Sequence, residues 1–284
     1  MSGSSRDMIK EVIEKCYTEI SESPESVSAL LATDLISAIM SLPSTKSLHE
    51  QILKSFLLDK VVDPLLEGDD HFRHTHDHGH NHDHSHCNES NRQAAYIQII
   101  CNIADKIASS SANSYALDFF EQIISSKLVL IIDMGINTFT TNPMLFEKSL
   151  KLFASLSCFP NFNQIMTNAS GHTADAKVEK YANVLRDILG QDSLASTTVI
   201  SVIGEQLEKF VTHSKDRPAV QIVSNTFMTL FSKDKLLRGD KVCLGLLNYK
   251  ILRDLLVGDL ALQLIQSHLT QINEETSLSL MMYI

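Results

Sequence analysis

Several residue types that mark particular protein classes are scarce or missing in this chain of 284 residues. It has no tryptophan, and it has only six prolines, ten glycines and five cysteines. The cysteines are odd in number and widely spaced, without a Cys-x-x-Cys pair, which argues against a disulfide framework and against a cysteine zinc finger. We therefore expect a reducing environment, in the cytoplasm, the nucleus or both.

Basic charge and long apolar runs are also scarce. The chain has 24 lysines and arginines against 34 aspartates and glutamates, a formal net charge of −10. Because phosphate contacts need a concentrated basic surface, we expect no nucleic-acid partner. No apolar run approaches the roughly 20 residues of a membrane-spanning helix, and the first residues lack the regions of a signal peptide. The sequence thus predicts no membrane span.

The usual catalytic motifs are missing as well. There is no phosphate-binding glycine loop, no dinucleotide fingerprint and no Gly-x-Ser-x-Gly nucleophile turn, and His49-Glu50 lacks a second histidine four residues later. Helical chains of this kind seldom bring several polar groups together in one cleft without help. We therefore predict a protein that is not an enzyme and that requires no cofactor.

What the sequence does contain is helical periodicity from one end to the other. Apolar residues recur at spacings of three and four, the pattern of amphipathic helices. In the second such segment, the apolar residues that share a face are Val27, Leu30, Leu31, Ala38, Ile39 and Leu42. Residues 127–136 are rich in β-branched side chains, but their helical neighbours favour a buried helix over a strand. The predicted fold class is all-α.

Residues 142–171, NPMLFEKSLKLFASLSCFPNFNQIMTNASG, carry a more specific pattern. An Asn-Pro turn precedes a long helix with the small-residue core Phe-Ala-Ser-Leu-Ser, and a short helix with Ile165 and a turn at Gly171 follow. This segment resembles an armadillo-type repeat. Looser counterparts of the long-helix core lie at 100–107, 200–207 and 225–232, more irregularly than the family period of about 40 residues.

The resemblance implies a right-handed α-solenoid of armadillo/HEAT-like repeats that forms a single domain over residues 1–284. Such proteins act as scaffolds, adaptors and assembly chaperones, so the expected partner is another protein. The nuclear-import adaptors of the family read peptides with a ladder of tryptophans and asparagines. Because this chain has no tryptophan, that mode of peptide binding is disfavoured.

Residues 71–86, HFRHTHDHGHNHDHSH, hold eight of the twelve histidines and are followed directly by Cys87. We predict a disordered His-rich insertion loop over residues 67–91. So many imidazoles close together bind Zn, Ni or Cu by ligand density alone, although one-residue spacing in a flexible segment fixes no tetrahedral geometry. The candidate metal ligands are His74, His76, His78, His80, His82, His84, His86 and Cys87.

Three interpretations of this tract remain open. It is a polar insertion that a surface loop tolerates at little entropic cost, a metal-binding segment that the cell uses, or a pH sensor built from groups that titrate near pH 6.5. We favour the insertion and keep metal handling as the alternative function. The isolated histidines at 172, 213 and 268 are interpreted as turn or core residues, and Asp133 as a residue at a helix end or facing solvent.

Overall fold

The computed structural model describes residues 3–23, 26–41, 46–67, 83–109, 114–168, 173–214, 216–232, 235 and 238–258. All regular secondary structure in these ranges is helical, as predicted. No helix within them is long and apolar enough to cross a membrane. The chain divides into two compact units, Met1–His172 and Thr173–Ile284.

The first unit is built from helices that pack around a long central one. Its helices are α1 (Gly3–Glu22), α2 (Val27–Ser41), α3 (Lys46–Glu50) with a π-helical continuation (Gln51–Val62), α4 (Asp83–Ser109), α5 (Ser114–Phe119) with a π-helical continuation (Phe120–Ile124), α6 (Ser125–Gly135), α7 (Pro143–Leu156) and α8 (Phe162–Asn168). Helix α4 packs against α2 and α7, and α2 packs against α1. Phe120 and Phe159 stack in the core with their ring centroids 4.9 Å apart.

Helix α7 begins where the Asn-Pro turn predicts. The Asn142 side chain accepts a hydrogen bond from the Leu145 N–H at 3.1 Å, and Pro143 occupies the first turn, where its missing N–H costs nothing. The helix ends at Leu156 and the short α8 follows. Residues 143–168 therefore contain the long helix and short helix that the armadillo resemblance implies, whereas Gly171 lies outside the described residues.

Helix α6 confirms that residues 127–136 favour a helix over a strand. It packs against α7, and the contact is close at Gly135, where an added Cβ would lie 2.7 Å from the Cβ of Ser149. Ser149 is fully buried, so the two helices approach this closely only because residue 135 has no side chain. Asp133 is half-buried in the last turns of α6.

The second unit contains α9 (Ala174–Leu189), α10 (Thr197–His213), α11 (Arg217–Met228), α12 (Lys241–Leu247) and helical residues 250–258. Side-chain oxygens of Thr173, Ser196, Asp216 and Asp240 accept backbone N–H groups at the starts of α9 to α12. Helix α9 packs against α11, and α10 against α12.

Two sets of long-range contacts join residues 249–252 to α10. The Tyr249 ring lies against Gly204 of α10, where an added Cβ would be 2.7 Å from ring atom Cδ2, and its hydroxyl donates to the Ser201 carbonyl at 2.8 Å. The Glu208 carboxylate accepts the N–H groups of Ile251 at 3.0 Å and Leu252 at 2.7 Å. It thereby caps helical residues 250–258 from a neighbouring helix.

The predicted boundaries of the His-rich loop need correction. Helix α4 begins at Asp83, so residues 83–91, which we expected in the loop, are helical, and residues 63–67 are helical as well. The physical reason is that α4 contains neither glycine nor proline, so the helix extends from its apolar half through polar residues, each adding a backbone hydrogen bond. Residues 68–82 lie outside the described part of the chain.

Candidate functional site

The histidine tract falls mostly outside the described residues. This holds for His74, His76, His78, His80 and His82. His84, His86 and Cys87 lie in the first turns of α4. Among the described residues, no group of three or more His, Cys, Asp or Glu side chains is placed to hold a metal ion.

The other histidines occupy structural positions where they are described. His49 is buried, and His213 is exposed as the last residue of α10. His172 and His268 lie outside the described residues. His213 thus stands at the polar helix end that its sequence context predicts.

Four cysteines, whose side chains are described, form no disulfide bond and lie in or near the core. Cys16, Cys101 and Cys243 are buried and Cys158 is half-buried. Burial, with the nearby Asp240 carboxylate, raises the pKa of Cys243 to about 12, and burial also raises the pKa of Cys16. This raised pKa keeps the Cys243 thiol protonated at neutral pH. Because the thiolate is the reactive form of cysteine, Cys243 is inert there.

The feature that stands out on the surface is α2, which is apolar on two opposite faces. Its inner face is buried against α1 and α4. The buried apolar residues of α2 are Ala29, Ala32, Ile36, Ile39 and Met40. The helix contains a single charged residue, Asp34.

The outer face of α2 carries a stripe of large apolar side chains. The exposed fractions of Val27, Leu30, Leu31 and Leu35 are 73%, 54%, 63% and 45%. We call these four residues the α2 stripe. Val27, Leu31 and Leu35 follow one another at four-residue spacing and Leu30 lies beside them, so they share one side of the helix. A helix that is hydrophobic all round is normally buried on all sides, but this one is not.

The sequence predicts the helix α2 correctly, but most residues of the apolar face that it indicates do not face the core. Of the residues that were expected to form its apolar face, Ile39 is buried, but Val27, Leu30, Leu31 and Ala38 are exposed. Two apolar faces compete in this segment, and the face with Ala29 and Ala32 faces the core. Small side chains let neighbouring helices approach closely, which makes that face the better core contact.

Polar groups on the inner side of α2 are satisfied by hydrogen bonds within the helix. The Thr33 hydroxyl donates to the Ala29 carbonyl at 2.8 Å, and the Ser37 hydroxyl donates to the Thr33 carbonyl at 2.9 Å. Both hydroxyls can therefore be buried without the cost of an unsatisfied donor. The stripe on the opposite side has no such structural explanation, and it is the candidate functional site of the described residues.

Comparison of the chain with protein-family models, with curated proteins and with solved structures gave no significant match. The functional argument therefore rests on the residues themselves. The sequence does contain a signal for the stripe, because a 15-residue helix with one charge and two apolar faces has more apolar surface than one core contact buries.

Proposed function

We propose that this chain is a non-enzymatic protein-binding protein, acting as a scaffold, adaptor or assembly chaperone, and that it holds its partner on the α2 stripe. The observation that carries the proposal is the exposed apolar face of a helix whose other apolar face is already buried. Four neighbouring side chains of this size form a patch on the order of 400 Å², the size of the largest exposed apolar patch on a typical monomer, which is often functional.

We further propose that the helices form armadillo/HEAT-like repeats of a right-handed α-solenoid. The support is the Asn142-Pro143 start of α7 and the short α8 that follows it. Repeats of this kind present an extended surface of packed helices, and such surfaces commonly bind other proteins.

Affinity purification from native cells, followed by mass spectrometry, tests the binding role. We expect a stoichiometric partner with the wild-type chain and its loss with Leu31→Ser. Leu130→Ser is the matched control, because Leu130 is an exposed leucine on α6, with 42% of its surface accessible. Recovery of no partner, or equal recovery with both variants, would contradict the proposal.

A second candidate function is metal handling by the histidine tract, and its ligand density favours it. Eight histidines lie within residues 71–86, and Cys87 follows directly. Imidazole and thiolate groups so close together in the sequence are ligands for Zn, Ni or Cu.

The metal content of the purified chain tests this second function. We expect bound zinc, nickel or copper in the protein isolated from native cells, and its loss when the histidines of residues 74–86 and Cys87 are replaced by serine. His213→Ser, an exposed histidine outside the tract, is the control and should leave the metal content unchanged. Equal metal content in all three proteins would exclude the tract as the binding segment.

A further inference from the structure

We infer that the occupant of the α2 stripe is a single amphipathic helix with basic residues beside its apolar face, supplied by the partner protein. This inference rests on the proposed protein-binding function and goes further by naming the chemistry of the partner. It follows from the length of the stripe, from its area and from the charge around it.

The dimensions of the stripe fit one short helix. Val27 and Leu35 are eight positions apart, which corresponds to about 12 Å along the helix axis. Two to three turns of a partner helix cover this distance, with apolar side chains at the spacing of helix-in-groove recognition. The partner's leucine-sized side chains would then pack between Leu31 and its neighbours four residues away on either side.

The area of the stripe argues against a second copy of the chain as the occupant. A patch on the order of 400 Å² is about half of what each partner buries in a stable interface of standard size. Two copies would also bring together two proteins that each carry a net charge of −10. Like charge of this size opposes self-association through a small contact.

The charge beside the stripe selects a basic partner. Asp34 is exposed beside Leu30 and Leu31 and is the only charged residue of α2. The whole chain is acidic as well, with a formal net charge of −10. Lysines or arginines along the edges of the partner's apolar face would find opposite charge there, whereas glutamates would be repelled.

Two synthetic peptides of about 15 residues, which is four helical turns, test the inference. Both have leucines at four-residue spacing on one face, and they differ only in lysines or glutamates along its edges. Measured by fluorescence anisotropy against the full chain, the lysine peptide should bind at least tenfold tighter. Leu31→Ser should weaken its binding about tenfold, since most of one leucine side chain would lose its contact. Leu130→Ser should not change it.

Asp34→Lys isolates the charge argument, and it should reduce the preference for the lysine peptide several-fold at low salt. At 0.5 M salt the preference should shrink in the wild-type chain as well, because exposed charges are screened. Leu31→Ser and Asp34→Lys both replace exposed residues, so we expect unchanged thermal melts, which would show that the fold is intact.

The other occupants give different results, and each would overturn the inference. Self-association in analytical ultracentrifugation that Leu31→Ser removes would identify a second copy. Binding to phosphatidylcholine vesicles that Leu31→Ser removes would identify a lipid surface. Equal affinity for both peptides, or no binding of either while a native partner is still lost with Leu31→Ser, would refute the basic helix and leave the proposed function standing. If neither peptide binds and no native partner is recovered, both the basic helix and the proposed protein-binding function are refuted.

Discussion

The Glu208 cap yields the sharpest stability prediction. Its two carboxylate oxygens accept the N–H groups of Ile251 and Leu252, which would otherwise be unsatisfied first-turn donors. Hydrogen bonds to a charged group contribute roughly 1.5–3 kcal/mol each when buried, and these are partly exposed. We therefore expect Glu208→Ala to lower the free energy of unfolding by about 2 kcal/mol, and Glu208→Gln, which retains one acceptor, by about half of that.

Urea denaturation measures the loss, and amide hydrogen exchange locates it. In Glu208→Ala, exchange of the amides of Ile251 and Leu252 should accelerate more than exchange of the amides of α9. Glu205→Ala is the matched control, because Glu205 is exposed on the same helix, and its effect should stay within about 0.5 kcal/mol. Equal losses in the two alanine variants, or unchanged exchange at residues 251 and 252, would refute a stabilising cap.

Three further predictions concern close packing, acid stability and thiol reactivity. Gly135→Ala should destabilise by about 1–3 kcal/mol in thermal or urea unfolding, because its Cβ meets buried Ser149, whereas Gly258→Ala, with nothing within 4 Å, should be neutral. Burial alone would raise the pKa of Asp240, but hydrogen bonds from the Cys243 amide and thiol oppose this effect. With smaller contributions from Lys235 and the Val242 amide, the pKa of Asp240 is lowered overall. Its stabilising effect is therefore complete above the unfolded pKa near 4 and disappears as the pH falls through the lower folded pKa, so Asp240→Asn should flatten the acid limb of a stability profile. Iodoacetamide at pH 8 should label half-buried Cys158 before Cys243, whose raised pKa keeps it protonated, and peptide mapping would show the reverse order if this reasoning is wrong.

Local signals in the sequence predicted much of the fold. Asn142 and Pro143 start a helix through their own side chains, a capping oxygen and a ring that needs no N–H partner. The structure places the start of α7 there. Residues 127–136 were assigned correctly because helical neighbours outweighed their β-branched content. In both cases the deciding interactions lie within a few residues along the chain.

Tertiary contacts decided what the sequence left open. The buried side of α2 depends on which of two apolar faces fits α1 and α4 better, and periodicity alone does not rank them. The Glu208 cap binds residues that lie 43 and 44 positions later in the chain. No local motif therefore indicates it. The histidine tract is conspicuous in the sequence because its residues repeat, whereas an extra apolar face of α2 has the same pattern as ordinary core.

Helix α4 has a consequence for how this protein can vary in evolution. In the part of α4 whose burial is described, residues 91–109, the first buried residue is Ala94. An insertion after Ala94 rotates every later side chain by about 100° per residue and breaks the core. Insertions or deletions before Asp83 leave that rotation unchanged. The part of the histidine tract that precedes Asp83 can therefore lengthen, shorten or change composition between lineages while the helix that follows it keeps the same buried face.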